Sequence, residues 1–212
     1  ELLSHLHDRR YPTHGKKRSW MIAELEAGLR RLLDGAPWPR VSDPGEDPQP
    51  ATDARDLLVI DATHYPPEGP RSFSEAIVAA HRAGWRRIVA YNLRGHRFAG
   101  CGLGLESHGT RIDLYGSSGD YAASGLDGGE LHVHGSAQDQ LAQILRRGRL
   151  VCHGDVGQTF LYGAKGGDVF VLGSAAGRPL INAVGRPRVV INGTCLDYLA
   201  ESFMAGDPLH GG

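Results

Sequence analysis

Three histidines, His132, His134 and His153, are the residues best placed to do chemistry together. In an extended segment side chains alternate between faces, so His132 and His134, two residues apart, point the same way. Imidazole nitrogens ligate zinc and copper, and three converging rings could hold such an ion. No acidic partner for the rings is evident in the sequence. The reading taken here assigns no metal and makes the three an exposed polar ladder, whose column continues as Leu172 and Asn192. Other reactive types are arranged less tellingly. Cys101, Cys152 and Cys195 lie 51 and 43 residues apart, which is neither a disulfide framework nor the close spacing of a zinc or iron–sulfur site. The segment Gly100-Cys101-Gly102-Leu103-Gly104 follows a strand pattern, but a dinucleotide fingerprint needs a third glycine where Leu105 stands, and then a helix.

Composition narrows the remaining classes. The chain has 212 residues, 41% hydrophobic, with a formal net charge of -1. That supports a real core and gives no general affinity for nucleic acid. No apolar run approaches the ~20 residues of a membrane span, and no signal-peptide pattern opens the chain. A reducing, cytoplasmic setting is expected. The Arg9-Arg10 and Lys16-Lys17-Arg18 groups read as a solvated tail, with docking to an anionic surface as the alternative.

The elements that must position these residues follow from hydrophobic spacing. Residues 1–35 read as a basic arm plus an amphipathic helix, capped by Ser19 and closed by Gly35, with Ile22, Leu25, Leu29 and Leu32 on one face. Residues 36–55 hold five prolines and read as an extended linker. Residues 56–110 give a βαβ lead-in: a strand at Leu57-Leu58-Val59-Ile60, a helix opened by a Ser72-Phe73-Ser74-Glu75 capping box, and a return strand at Arg87-Ile88-Val89-Ala90-Tyr91.

From residue 111 to 212 the chain repeats. Gly116, Gly135, Gly154, Gly173 and Gly193 recur at intervals of 19, 19, 19 and 20 residues. Ahead of each glycine lie two apolar columns, Ile112, Leu131, Leu150, Val169 and Val189, and then Leu114, Val133, Cys152, Val171 and Ile191. Period-two spacing makes these the inward face of a strand. A second wall is read from Ala122, Leu141, Phe160, Leu180 and Leu199, and from Leu126, Leu145, Ala164, Val184 and Phe203. Each glycine is the turn where neighbouring coils approach to about 4.8 Å. The expected fold is mainly β: a right-handed parallel β-helix of about 19-residue coils, preceded by the βαβ segment and the helical arm. This register sets His153 one coil above His134, about 5 Å away.

Segments such as HGDVGQTFLYGAKGGDVFVLGSAAG resemble the GXGXG-repeat domain of the glutamate synthase large subunit, a family also seen in formylmethanofuran dehydrogenase. The lead-in, Tyr91-Asn92-Leu93-Arg94-Gly95 and Gly100-Cys101-Gly102-Leu103-Gly104, is similar to stand-alone glutamate synthase-like subunits. The resemblance covers about residues 56–207 and is strong only over the repeats. It implies a structural scaffold with no catalytic residue of its own, holding a glutaminase-type part and an FMN/iron–sulfur synthase-type part in register. FMN and the cluster would sit on those partner domains. Its alternative is the β-helix subunit of a molybdenum- or tungsten-type oxidoreductase resembling formylmethanofuran dehydrogenase, and a third is a free-standing metal-binding β-helix protein.

The outward strand positions, Asp113, His132, Val151, Phe170 and Val190, lack the paired carboxylates a glycan hydrolase or lyase needs. Val151, Phe170 and Val190 instead form an apolar stripe expected to be an interface, covered either by a partner or by the helix at 19–34. The chain stops at Gly211-Gly212, where a further coil could begin, so a portion of a longer polypeptide is expected.

Overall fold

The computed structural model describes residues 14–204, so Arg9 and Arg10 of the basic arm lie outside the described residues. Helix α1 (Arg18–Gly35) is followed by strands β1 (Arg40–Val41) and β2 (Leu57–Asp61), helix α2 (Phe73–Arg82) and strand β3 (Arg87–His96). Five further strands follow among the described residues: β4 (Arg111–Ser118), β5 (Asp127–Val133), β6 (Arg147–Cys152), β7 (Asp168–Val171) and β8 (Arg188–Ile191). All eight strands lie in one sheet, in sequence order, each parallel to the next. A parallel neighbour requires the chain to cross back after every strand. From β4 onward that return is a second wall of tight turns, which makes the body a parallel β-helix.

The inward columns begin earlier than the repeats do. Leu58, Ile88, Ile112, Leu131, Leu150, Val169 and Val189 pair in unbroken register, as do Ile60, Ala90, Leu114, Val133, Cys152, Val171 and Ile191. The βαβ segment therefore supplies the first rungs of the same core, with α2 serving as the return wall of its coil. Phe73, Ile77 and Ala80 of α2 are fully buried against that core.

Several local details differ from the sequence reading. Helix α1 has its N-cap at Lys17, not Ser19. Its docked face runs through Leu29 and Leu33, because a step of four keeps a helix on one line; Leu32 is turned out and 60% exposed. The capping box at α2 does not close: Glu75 accepts instead from the Arg71 amide at 2.7 Å, and the Ser72 and Ser74 hydroxyls bond to each other at 2.9 Å. Within the proline-rich segment, Arg40 and Val41 pair with Val59 and Ile60 as the edge strand β1.

The return wall is registered one residue differently from the sequence columns. The amides of Leu180 and Ala200 bond to the carbonyls of Phe160 and Pro179, and those of Val184 and Met204 to Ala164 and Ala183. Pro179, not Leu180, thus stands across from Phe160, and the fully buried Ala183, not Val184, continues the column of Ala164. The extra residue of the fourth coil lies after Ala183, where the chain turns toward β8.

The outer face of the sheet has three zones. Helix α1 covers the first, packing Leu29 and Leu33 on Val59, Val89, Tyr91 and Tyr115. A polar clamp fixes it: the Tyr91 hydroxyl donates to Asp34, while Arg40 donates to Tyr91 and to Asp34, both at 3.1 Å, and to the Leu33 carbonyl. Burial first, and the Asp34 contact second, hold the Tyr91 phenol protonated well above its ordinary range. Replacing Tyr91 with phenylalanine is expected to cost about 1–2 kcal/mol and to speed limited proteolysis within α1, while leaving the repeats protected.

Candidate functional site

The middle zone of that face holds the histidines. Asp113, His132 and Val151 pair across β4, β5 and β6, so Asp113 and the imidazole of His132 rise from one column. His134 and His153 follow in the next outward column, directly after Val133 and Cys152. The coils bring the rings together: His134 and His153 stack 4.5 Å apart between centroids and His132 and His134 6.2 Å, while His132 and His153 are tilted to one another at 6.5 Å. One ligating nitrogen from each of the three falls within 4.8 Å of the others. Tyr115, one coil below, stacks flat on His134 at 4.2 Å and 4°.

The sequence offered no acidic partner for these rings, and the structure supplies one. Asp113 stands one coil below His134, and its Oδ1 is 2.8 Å from His134 Nε2. Arg111 grips the same carboxylate from two residues away, through Nε at 2.8 Å and Nη2 at 2.9 Å. Burial disfavours the charge on Asp113, but the His134 and Arg111 hydrogen bonds outweigh it and hold the carboxyl well below the usual carboxylate range. This partner is invisible to local motif reading because 21 residues separate it from His134. The repeat register carries the signal, since it sets Asp113 directly beneath His132.

His132 is more confined. Its side chain is 14% exposed, and Nε2 is buried without a hydrogen-bond partner. The Glu130 carboxylate lies 3.5 Å away, within ion-pair reach but not hydrogen-bonding. Burial, and then the Arg111 cation, push His132 below the ordinary histidine range. Burial, followed by the other two imidazoles among its neighbours, lowers His153 to about 4. Both rings are therefore neutral near pH 7, with a lone pair on one nitrogen. A cavity of about 390 Å³ opens beside His134, between α1 and the sheet, with Arg30, Arg94 and Tyr91 among its walls.

The third zone is apolar. Val151, Phe170 and Val190 pair in register on β6, β7 and β8. Helix α1 does not reach them, which removes the intramolecular cover proposed from the sequence; Phe170 is 39% and Val190 56% exposed, and Leu172 beside them is also exposed.

The corner glycines are packed backbone against backbone. A Cβ on Gly135, Gly154, Gly173 or Gly193 would lie 2.6–2.8 Å from the carbonyl oxygen of the glycine one coil below. Gly116 starts the column with a positive φ of 122° and would place a Cβ 2.4 Å from the Leu93 oxygen. The Gly100, Gly102 and Gly104 alternation also turns on positive φ, near 75° at each, and leads into a single 3₁₀ turn at Leu105–Ser107. The cysteines remain dispersed: Cys152 lies in the inward strand column, and Cys101, whose thiol burial pushes up to about 11, bonds the Tyr121 carbonyl.

A family model described as the GXGXG motif matches residues 73–208, well over half of the chain. The chain belongs to the GXGXG motif family. The match takes in α2, β3 and every coil of the repeat, and one GXGXG run is spelled out at Gly100-Cys101-Gly102-Leu103-Gly104. GXGXG domains occur in glutamate synthase-like proteins. No curated protein and no solved structure matches the chain. Among the described residues, no helix is long and apolar enough to cross a membrane.

Proposed function

We propose that this GXGXG chain is a structural, non-catalytic scaffold, a subunit or domain of a glutamate synthase-like amidotransferase–oxidoreductase. The observation that carries the reading is the apolar stripe of half-buried Val151 and exposed Phe170 and Val190 on three successive rungs of the sheet. An apolar row of this kind loses free energy to water until a partner buries it, and each such side chain contributes about 1.5–3 kcal/mol when fully covered. The scaffold acts by geometry. Its continuous core fixes the distance between parts bound along its length, so a glutaminase-type part and an FMN/iron–sulfur synthase-type part stay in register and released ammonia passes between them. FMN and the cluster belong to the partner, and the assembly sits in a reducing, cytoplasmic setting. Family membership supports the class of complex, and the stripe supports the mode of attachment.

The test is purification of the tagged full chain from its native cell at low salt, with partners identified by mass spectrometry and flavin and iron–sulfur absorbance recorded. Glutaminase-type and flavin-bearing polypeptides are expected to co-purify with the wild-type chain. Phe170→Asp should weaken their retention at least ~30-fold, the scale of a buried aromatic anchor, while circular dichroism of the variant is unchanged. A chain that purifies alone, that brings a pterin-dependent partner, or that keeps its partners despite Phe170→Asp overturns the proposal.

A further inference from the structure

We propose that His132, His134 and His153 form a binding site for one late first-row divalent cation, with zinc the best-fitting ion and Asp113 positioning the central ligand. The site is independent of the scaffold reading, because it lies on β4–β6 between the helix-covered zone and the apolar stripe.

Three observations carry it. The ligand set is right in kind and number: three imidazoles with nitrogens within 4.8 Å of one another. A tetrahedral zinc bonds nitrogen at about 2.0–2.1 Å, which puts its ligand atoms about 3.3 Å apart. The observed spacing is wider than this by up to about 1.5 Å, so binding requires the rings to draw together around the ion. The second observation is Asp113. Its 2.8 Å contact to His134 Nε2 leaves Nδ1 as the nitrogen available to an ion, and Arg111 locks the carboxylate in turn. A histidine ligand held through its other nitrogen by a carboxylate is the usual outer support of a metal site. Third, His132 Nε2 is buried with no hydrogen-bond partner. A polar ladder facing water would satisfy that atom, and the Glu130 carboxylate at 3.5 Å makes no hydrogen bond to it; an ion bound by the rings would supply its partner.

Thiolate-preferring and oxygen-preferring ions fit less well. The ring nitrogens favour zinc, copper and nickel, and the described residues place no cysteine among the candidate ligands. Calcium and magnesium require oxygen shells that the three rings do not provide.

The experiment is calorimetric titration of Zn²⁺ into the metal-stripped full chain, with Co²⁺ substitution to read coordination from its visible spectrum. One zinc per chain and a tetrahedral or five-coordinate cobalt spectrum are expected. His134→Phe, which keeps the stack on Tyr115, and His153→Phe should each weaken this site at least ~100-fold. Asp113→Asn should weaken it about 10–100-fold with the stoichiometry still one. Circular dichroism checks that each variant folds, and the two phenylalanine variants together guard against either one failing to fold. The histidines elsewhere in the chain make the variants decisive. Absence of stoichiometric zinc overturns the proposal, as does zinc binding that survives both phenylalanine variants undiminished.

Discussion

Gly116→Ala is expected to destabilise the protein by about 4 kcal/mol, more than most surface or core substitutions of comparable size. Two costs combine at this position. The backbone sits at φ 122°, where an L side chain is strained, and the new Cβ would meet the Leu93 carbonyl oxygen at 2.4 Å. Neither cost relaxes easily, because Leu93 and Gly116 are paired rungs, and moving them apart breaks the ladder between β3 and β4. For a chain of this size the melting temperature should fall by roughly 8–16 °C. Gly125→Ala is the matched control. It also has positive φ, at 71°, but a Cβ there meets nothing within 4 Å, so about 1 kcal/mol is expected. Urea denaturation of the two variants separates strain from collision. Equal losses at both positions would show that coil spacing has no part in the choice of glycine.

Phe160→Ala should cost about 3–5 kcal/mol, the range for truncating a buried aromatic. Phe160 is fully buried in the return wall, and it faces Leu141 on one side and Pro179 on the other. A solenoid is held by contacts between neighbouring coils, so the cavity weakens two interfaces at once. Hydrogen exchange should therefore accelerate first in β7, β8 and the turns between them, with β2 and β3 protected longest. Leu196→Ala, at a site 63% exposed, should change stability by no more than about 0.5 kcal/mol. Uniform acceleration across the sheet would instead indicate a single cooperative unit.

Much of this architecture was legible in the residues. Five glycines at one phase, each behind two alternating apolar positions, fix strand, face and coil length together, because a period of two admits only one inward set. The same phase put His153 above His134. What it missed is instructive. The return wall is not a strand; it is a run of turns in which Tyr121, Ala123, Gln140, Ala142, Ile144 and their counterparts in later coils take positive φ between 51° and 62°. Alanine, leucine and isoleucine carry no local signal for that conformation, and the stacked hydrogen bonds from coil to coil impose it. The insertion after Ala183 was misplaced for the same reason: Leu180 and Val184 are apolar enough to satisfy a column, and only the backbone register distinguishes them from Pro179 and Ala183.

The sequence by itself determined that the chain would coil, how long each coil would be, and which residues would point inward, since these follow from short-range periodicity repeated down the chain. The tertiary structure decided the rest. It joined β1, β2 and β3 to the repeats as one sheet, laid α1 over Val59, Val89 and Tyr91 and not over Phe170, and closed Asp113 onto His134. Those outcomes depend on side-chain orientation and on contacts between distant segments, where several placements satisfy the same hydrophobic pattern and only packing and hydrogen bonding select one.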